Sequence, residues 1–552
     1  MMKRVLLLLL LMSCDSQKQP DVEPHAAQPA LESRWLEDEA IQRGITATWI
    51  SGDLGNYNMP EIIGGGAAMF DYDQDGDLDL YFVQGGHLGS SKTEQNILLR
   101  NDEGFFTDVT KESNGGDTGY GMGIAIGDYN NDTFEDIYIT NLGANTLLKN
   151  NGDGTFTDVS QQAGVNDRGW GASAAFADFD QDGDLDLYAT NYLLWSVELG
   201  ETLDLECYNS MGVLDYCSPT NYMAPARDVL YRNNGDGTFT DLSESAGIGT
   251  RFGTGLGILC NDYTGDGLLD IFVANDGMAD QLWRNNGDWT FTDVAQLRGC
   301  ALDDEGQAKA GMGVTSADFD ADGDLDVLVC NITGESDSLH RNEGNFFSDA
   351  TATFGIRTST RHATRFGLGW VDFNNDGFLD LFEANGKVQQ IGSPTTEDPF
   401  AEANYLLQGD ADGWNSIAEG LDPSLVHTSR AAVFGDINND GGIDVFVVNR
   451  DANAYLLMNT LPTRGNFVTL TIQDKFGKTA IGATVTATVG QRTVVFPVQT
   501  AWSYLASNDP RVHIGLGEEE AIKDIKILWS DGTRSSHDSF KAGFHTITQQ
   551  VQ

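Results

Sequence analysis

Aspartates at alternate positions are the residues of this sequence best suited to chemistry. The stretch DYDQDGDLD, which begins at Asp71, carries five of them within nine residues. Their mutual repulsion opposes folding unless a cation lies among the carboxylates. The pattern D-x-[DNT]-x-D-[GT]-x-x-D occurs seven times, and we call the copies aspartate loops 1 to 7: residues 71–79, 128–136, 178–186, 262–270, 318–326, 372–380 and 436–444.

The spacing within these loops favours Ca²⁺. Oxygens at positions 1, 3, 5 and 9, with a backbone carbonyl at position 7, can surround a hard cation, and glycine at position 6 allows the sharp bend. Mg²⁺ requires stricter octahedral geometry, and Zn²⁺ prefers His or Cys ligands, which the loops lack. The sequence predicts up to seven structural Ca²⁺ ions, held by Asp71, Asp73, Asp75, Asp77, Asp79, Asp128, Asn130, Asp132, Phe134, Asp136, Asp178, Asp180, Asp182, Asp184, Asp186, Asp262, Thr264, Asp266, Leu268, Asp270, Asp318, Asp320, Asp322, Asp324, Asp326, Asp372, Asn374, Asp376, Phe378, Asp380, Asp436, Asn438, Asp440, Gly442 and Asp444.

Two of the loops depart from the pattern. Thr133 replaces the glycine of loop 2, and Thr264 is a poorer ligand at position 3 of loop 4. The alternative for these two loops, and for the set, is an Asp-rich turn held by side-chain hydrogen bonds to its own backbone.

The elements that position the loops are predicted to be strands. The flanking segments GMGIAIG and DIYITN are β-like, and no Glu stands at position 12, so an EF-hand is disfavoured. Successive loops begin 50 to 84 residues apart, which is about the length of a four-stranded sheet. The first strand leads into the loop, and N-N-G-D-G turns join the third strand to the fourth. The sequence thus predicts an all-β fold with a seven-bladed β-propeller over residues 34–460.

The N-terminal part of that range is predicted to close the propeller. Strand motifs such as FTDVS follow the first six loops, but none follows loop 7 before Gly465. The segment WLEDEAIQRGI, at Trp35, parallels FTDVSQQAGV at Phe156. We therefore expect it to supply the outer strand of the last blade.

The C-terminal region has a second pattern. Alternating apolar residues in VTLTI, ATVTATV and DIKILW predict a small β-sandwich over residues 461–552. Its runs G-A-x-V at Gly482, R-x-H-x-G-L-G at Arg511 and I-x-W-x-D-G at Ile527 resemble an ASPIC/UnbV domain. The aspartate loops resemble FG-GAP/VCBS repeats, which also form the propeller of integrin α subunits. The chain is thus similar to the cartilage acidic protein family, which implies calcium-binding extracellular or surface proteins without a common catalytic activity.

Composition limits the partners. The 552 residues carry a formal net charge of −51, so phosphate backbones are repelled and nucleic acid is disfavoured as a partner. Hydrophobic residues make up 40% of the chain, enough for a packed core.

The N-terminus has the form of an export signal. Lys3 and Arg4 precede the apolar run VLLLLLLM, which is too short to span a bilayer. Because the run ends in L-M-S-C, residues 1–14 are predicted to be a lipoprotein signal peptide with a lipobox and Cys14 as the lipidated residue. An ordinary signal peptide that contains a cysteine is the alternative. Polar residues 15–33 are predicted to be a flexible tether. We expect an exported bacterial lipoprotein at a periplasm-facing membrane or the cell surface, attached through this lipid alone.

The remaining cysteines are compatible with an oxidising compartment. Cys207 and Cys217 lie ten positions apart in an irregular segment and are predicted to form a disulfide. The pairing of Cys260, Cys300 and Cys330 cannot be read from the sequence.

The sequence also offers one candidate recognition segment. The insertion 192–227 lengthens the connection between the second and third strands of the third unit, at the end of the blade remote from the aspartate loop. Aromatic side chains give contact area at low entropic cost, so we expect partner contacts from Trp195, Tyr208, Tyr216 and Tyr222. A cap over the central channel, without a ligand, is the alternative.

These features favour a non-catalytic binding or adhesion module for an extracellular or periplasmic protein or glycan. Two other classes stay open: a propeller hydrolase or lyase acting on phosphate esters or polysaccharide, and an assembly factor of an exported complex. No P-loop or G-x-S-x-G motif is present, and no residue is predicted to be catalytic.

Overall fold

Antiparallel four-stranded sheets make up most of the fold. The computed structural model describes residues 34–90, 94–196, 205–392, 396–417 and 420–550. Within these ranges, seven sheets each contain the four strands of one repeat unit. The all-β propeller prediction is confirmed. Cys14 and the predicted signal peptide and tether lie outside the described residues.

The strands of the propeller, in chain order, are β1 (Leu36–Asp38), β2 (Ala67–Phe70), β3 (Asp79–Phe82), β4 (Ile97–Asp102), β5 (Phe105–Asp108), β6 (Gly121–Gly127), β7 (Asp136–Asn141), β8 (Thr146–Asn150), β9 (Phe156–Asp158), β10 (Gly171–Ala177), β11 (Asp186–Asn191), β12 (Cys207–Tyr208), β13 (Leu214–Asp215), β14 (Val229–Asn233), β15 (Phe239–Asp241), β16 (Gly255–Asn261), β17 (Asp270–Asn275), β18 (Gln281–Asn285), β19 (Phe291–Asp293), β20 (Val314–Ala317), β21 (Asp326–Val329), β22 (Ser338–Asn342), β23 (Phe347–Asp349), β24 (Arg365–Val371), β25 (Asp380–Asn385), β26 (Glu402–Ala403), β27 (Tyr405–Asp410), β28 (Gly413–Ser416), β29 (Val426–His427), β30 (Ser429–Gly435), β31 (Asp444–Asn449) and β32 (Tyr455–Asn459).

Each sheet runs from an inner strand to an outer one. The orders are β2-β3-β4-β5, β6-β7-β8-β9, β10-β11-β14-β15, β16-β17-β18-β19, β20-β21-β22-β23, β24-β25-β27-β28 and β30-β31-β32-β1. The pairs β12-β13 and β26-β29 are short ladders within connections. Every aspartate loop joins the first strand of its sheet to the second, so all seven loops lie on one face.

The inner strands crowd together, which explains their small residues. Strand β6, GMGIAIG, is buried over its whole length. A Cβ added at Gly123 would lie 2.3 Å from the carbonyl oxygen of Ala172 in the neighbouring sheet. Glycine here permits close approach of two backbones.

The N-terminal segment closes the ring, as predicted. Strand β1 pairs antiparallel with β32, with Leu36 opposite Asn459 and Asp38 opposite Leu457. The inner strand of this seventh sheet, β30, packs beside β24 on one side and β2 on the other. The outer strand of the last sheet therefore comes from the opposite end of the propeller sequence.

The C-terminal region forms two further sheets around a core of its own. Their orders are β37-β33-β40 and β35-β34-β38-β39, and Val485, Ile525 and Trp529 lie in the core between them. The strands are β33 (Asn466–Gln473), β34 (Thr484–Val489), β35 (Arg492–Pro497), β36 (Ala506–Ser507), β37 (Val512–Gly517), β38 (Ala521–Leu528), β39 (Arg534–Lys541) and β40 (Gly543–Thr548).

One segment of this region, residues 499–508, enters the centre of the propeller and bonds to inner strands of all seven sheets; we call it the channel segment. Strand β36 pairs parallel with β2, and Gln499 accepts a hydrogen bond from Asn261 of the fourth sheet. Ser503 joins three more sheets, because it pairs with Val314, accepts from Leu368 N–H and donates to the carbonyl of Ala432. In the second sheet, the backbone N–H of Ile126 donates to Ser507 Oγ. In the third sheet, Ser173 Oγ accepts a hydrogen bond from the backbone N–H of Leu505.

Helices are few and short. Those described are α1 (Pro60–Ile63), α2 (Thr110–Ser113), α3 (Ser160–Ala163), α4 (Pro219–Tyr222), α5 (Ala295–Arg298), α6 (Ile356–Ser359) and a 3-10 turn at Ile248–Thr250. In the described ranges, none of the helices has the length and apolar character needed to cross a membrane.

Candidate metal centres

Each aspartate loop is folded by its own carboxylates. The position-5 aspartate accepts a hydrogen bond from the N–H of position 7 in all seven loops, as Asp75 does from Asp77 at 2.9 Å. Position 6 has a positive φ in every loop. Glycine adopts this conformation at no steric cost, but Thr133 of loop 2 also adopts it, with φ 76°. The loop backbone thus turns so that the oxygens at positions 1, 3 and 9 converge.

Three loops bring three carboxylates together. Oxygens of Asp71, Asp73 and Asp79 lie within 4.8 Å of one another, and so do those at positions 1, 3 and 9 of loop 3 (Asp178, Asp180, Asp186) and loop 5 (Asp318, Asp320, Asp326). These are the loops with aspartate at position 3. The other four loops carry Asn130, Thr264, Asn374 and Asn438 there.

Several of these oxygens are buried without a donor. Oδ1 of Asp73, Asp318 and Asp320 and Oγ1 of Thr264 have no hydrogen-bond partner within the described ranges. An unpaired buried oxygen is costly, and one directed at a shared centre is what a cation ligand requires. The residues present therefore fit a hard cation with oxygen ligands, including at the weaker loop 4.

The electrostatics of the loops lead to the same conclusion. Burial raises the pKa of Asp79, Asp186 and Asp326, at position 9, to about 9. Backbone N–H donors lower these pKa values, and the other carboxylates of the same loop raise them further. Ionised loops are therefore unfavourable at neutral pH, and a bound cation reverses the sign of this effect.

Residues outside the predicted ligand set connect neighbouring loops. In six sheets, an asparagine at the end of the third strand donates from its backbone N–H to the position-9 aspartate: Asn101, Asn150, Asn233, Asn285, Asn342 and Asn459. The side-chain amide of each also donates to the position-2 carbonyl of the preceding loop. The repeated N-N-G motif is the sequence signal that would have identified three of the six, Asn150, Asn233 and Asn285.

The C-terminal domain rests on the same loop face. Arg492 donates to the carbonyl of Gly377 at 2.6 Å, and Arg511 donates to the carbonyl of Asp436 at 3.0 Å. The backbone N–H of Val495 donates to Asp318 Oδ2 at 3.0 Å. The domain thus covers part of the loop face, which nothing in the sequence pattern predicted.

The opposite face carries the insertion 192–227, of which residues 197–204 are not described. The disulfide between Cys207 and Cys217 is present, with sulfurs 2.08 Å apart. It closes the hairpin of β12 and β13. The other described cysteines, Cys260, Cys300 and Cys330, are buried free thiols.

The structure divides the four predicted partner-binding aromatics. Trp195 and Tyr216 are buried, with exposed fractions of 7% and 1%, so they do not present a contact surface. Trp195 packs on Trp170, because the inner side of the insertion covers the apolar core. Tyr222 is half-buried against that core, and only Tyr208 is largely exposed, at 59%.

Further exposed apolar side chains lie within a few residues of Tyr208 in the sequence, and they were not among the predicted contact residues. Leu205, Met211 and Val213 have exposed fractions between 40% and 49%. We call these four residues the hairpin patch. Tyr216 anchors the hairpin, because its hydroxyl accepts a 3.0 Å hydrogen bond from Arg450.

Comparisons with known proteins agree with this architecture. The FG-GAP-like repeat family matches residues 71–139, 128–189, 262–329 and 318–383, and the ASPIC and UnbV family matches residues 474–551. Cartilage acidic protein 1 of Xenopus tropicalis is 28% identical over 298 residues, which cover 51% of this chain and 42% of that protein. The human protein is 26% identical over 326 residues, which cover 56% of this chain and 46% of the human protein. The matched region thus spans less than half the length of these relatives.

Solved structures with lower sequence similarity also match the chain. The BP39L lectin from Burkholderia pseudomallei is 12% identical, with a TM-score of 0.44 over 72% of this chain and 97% of the lectin. YCF48 bound to D1 peptide is 10% identical, with a TM-score of 0.42 over 79% of this chain and 99% of YCF48. Repeats, terminal domain and relatives together identify the chain as an FG-GAP-repeat β-propeller protein with a C-terminal ASPIC and UnbV domain, homologous to cartilage acidic protein 1.

Proposed function

We propose that this protein is an exported, calcium-stabilised and non-catalytic binding module that recognises a protein partner through the hairpin patch. The observation that carries the proposal is the disulfide-closed hairpin, which exposes Leu205, Tyr208, Met211 and Val213 together. Several large apolar side chains exposed within one short, disulfide-closed segment are typical of a protein interface. A glycan offers fewer apolar contacts, so we place it second.

Two features of the structure support the choice of face. The aspartate-loop face is partly covered by the C-terminal domain, whose Arg492 and Arg511 bond to loop carbonyls. The channel behind it is filled by residues 499–508, which bond to all seven sheets. The hairpin face is therefore the one left with an irregular exposed insertion.

Calcium has a structural role in this proposal. The converging carboxylates and the unpaired oxygens of Asp73, Asp318 and Asp320 are the supporting observations. At about 100 times the Kd of a site, each bound Ca²⁺ adds about 2.7 kcal/mol to the free energy of unfolding. The protein would be most stable where Ca²⁺ is abundant, as outside the cell.

Export and lipid attachment complete the proposal. The Cys207–Cys217 disulfide supports an oxidising compartment. Anchoring through Cys14 rests on the lipobox-like sequence alone. Metabolic labelling with a palmitate analogue should mark the wild-type protein and not Cys14→Ser, and labelling of both would refute anchoring at this cysteine.

The test of partner recognition uses the hairpin patch directly. The chain carrying Tyr208→Ala, Met211→Ala and Val213→Ala should lose cross-linking to a protein of its own membranes that the wild type captures. Leu297→Ala, at a side chain that is 86% exposed in α5, is the control and should retain it. Equal capture by both variants would exclude the patch, and binding confined to a glycan array would favour the adhesion alternative.

A further inference from the structure

A cavity of about 330 Å³ lies between the propeller and the C-terminal domain. The sixth and seventh sheets contribute Trp370 and Phe434, and the C-terminal domain contributes Val495 and Leu516. Trp502, at the start of the channel segment, stacks on Phe434 with ring centroids 5.0 Å apart. Small-ligand sites in proteins begin at roughly 300 Å³, so the cavity has room for a compact ring system.

Trp370 gives this cavity a rigid wall and an unused donor. Its ring stacks on Trp414 at 5.7 Å and contacts Phe319, and its exposed fraction is 6%. Its indole Nε1–H has no hydrogen-bond partner in the part of the chain that the structure describes. A buried N–H without an acceptor destabilises the folded protein. A ligand oxygen that accepted a hydrogen bond from this N–H would remove that cost.

The charges around the cavity favour a neutral ligand. Asp318, Asp372 and Asp509 line it, and an anion would be repelled by them. The cationic groups in its wall are already engaged: Arg511 bonds to Asp509, and Arg492 donates to the carbonyl of Gly377. The carboxylates are engaged as well, because Asp372 accepts hydrogen bonds from two backbone N–H groups of its own loop, Asp509 bonds to Arg511, and Asp318 is a predicted Ca²⁺ ligand. An organic cation would therefore have to compete with these partners.

We propose that this cavity binds a small neutral molecule whose apolar rings contact Phe434, Val495 and Leu516 and whose carbonyl oxygen accepts a hydrogen bond from the indole N–H of Trp370. The site lies on the aspartate-loop side of the propeller, remote from the hairpin patch. A failure of the proposed partner recognition would therefore leave the ligand site untouched, and the reverse also holds.

The experiment uses the full-length protein in calcium-containing buffer and the neutral naphthalene ketone prodan, whose emission shifts to the blue in an apolar site. Trp370→Phe keeps an aromatic ring but removes the donor, and should weaken prodan binding about threefold to tenfold. Ala317→Met places a larger side chain in the cavity wall and should abolish binding. Trp283→Phe, at another buried indole without a partner but outside the cavity, should bind prodan like the wild type.

Two further probes define the chemistry. The alkyl analogue of prodan, which lacks the carbonyl, should bind the wild type and Trp370→Phe equally and more weakly than prodan binds the wild type. Anilinonaphthalene sulfonate, an anion, should compete poorly. The proposal fails if the wild type does not shift prodan emission, if Ala317→Met leaves the shift intact while retaining the wild-type melting temperature, or if Trp370→Phe and Trp283→Phe behave alike.

Discussion

The side-chain amide of Asn150, at the end of β8 in the second sheet, donates a 2.8 Å hydrogen bond to the carbonyl oxygen of Tyr72 in aspartate loop 1. The backbone N–H of the same asparagine donates to the position-9 carboxylate of its own loop, Asp136, at 2.7 Å. One residue thus joins two loops and two sheets. The sixth sheet has Gly409 at the equivalent position. Its backbone N–H donates to Asp380, but glycine has no side-chain amide to reach the preceding loop.

Loss of this link should destabilise the propeller. We expect Asn150→Ala to lower the free energy of unfolding by about 1–3 kcal/mol, because the buried carbonyl of Tyr72 is left without its donor. Asn151→Ala, at the next position, removes only exposed hydrogen bonds to Thr155 and Thr157 and is the control. Urea unfolding in saturating Ca²⁺ measures both, and equal losses would contradict the assigned role.

Strain in loop 2 can be relieved. Thr133 stands in the left-handed region where six other loops have glycine. We expect Thr133→Gly to raise the free energy of unfolding by about 1 kcal/mol, since a positive φ is sterically strained for a β-branched residue and unstrained for glycine. Thr155→Gly, in the neighbouring exposed turn, should lower it. A loss of stability in both variants would show that loop 2 is not strained.

The proposed calcium sites predict opposite effects of one substitution in two buffers. In Ca²⁺ at about 100 times the site's Kd, Asp178→Asn should lose up to about 2.7 kcal/mol of stability. In chelator the same variant should be as stable as the wild type or more so, because one of the carboxylates clustered in loop 3 is neutralised. Thermal melts with Mg²⁺ as the control ion, and with Asp153→Asn as the control variant, provide the comparison. Equal destabilisation in both buffers would argue against a metal site.

The channel segment should contribute to the stability of the whole propeller. Ser503 Oγ donates to the carbonyl of Ala432 at 2.8 Å and accepts from the N–H of Leu368 at 3.0 Å. We expect Ser503→Ala to cost about 1–3 kcal/mol in a single cooperative transition, because both buried partners lose a bond. Ser424→Ala, on an exposed turn, should change stability by less than about 0.5 kcal/mol. Separate melting of the two domains in the wild type would contradict this coupling.

One half-buried carboxylate outside the loops predicts a pH dependence. Burial raises the pKa of Asp280 to about 8, although the N–H of Asn275 and the charge of Lys309 lower it. Since the pKa in the unfolded chain is about 4, the stability due to this group is full at low pH and is lost as the pH rises from about 4 through 8.

Asp280→Asn should remove that loss. An asparagine can still accept the bond from Asn275, as Asn145 does from Asn141 in the second sheet at 2.8 Å. We expect the variant to be more stable than the wild type at pH 8, by about 1 kcal/mol or more, and similar at pH 4. The exposed control Asp236→Asn should parallel the wild type. Identical pH profiles for all three chains would refute the assignment.

Local pattern accounts for what the sequence predicted well. The spacing of the aspartate loops, the glycine at position 6 and the N-N-G-D-G turns each depend on residues a few positions apart. The closing strand Leu36–Asp38 was found because it repeats a motif missing after loop 7. The Cys207–Cys217 pair was found because the two residues are close in the chain.

The repeat, the predicted ligand positions and the all-β class follow from the amino-acid sequence, since a nine-residue loop and a strand of alternating residues carry their own geometry. Three features could be seen only in the folded chain: residues 499–508 fill the channel, Arg492 and Arg511 cover part of the loop face, and Trp195 and Tyr216 are buried while Tyr208 stays exposed. Those outcomes depend on contacts between residues far apart in the chain, where burial is set by what packs on each side chain and not by its type.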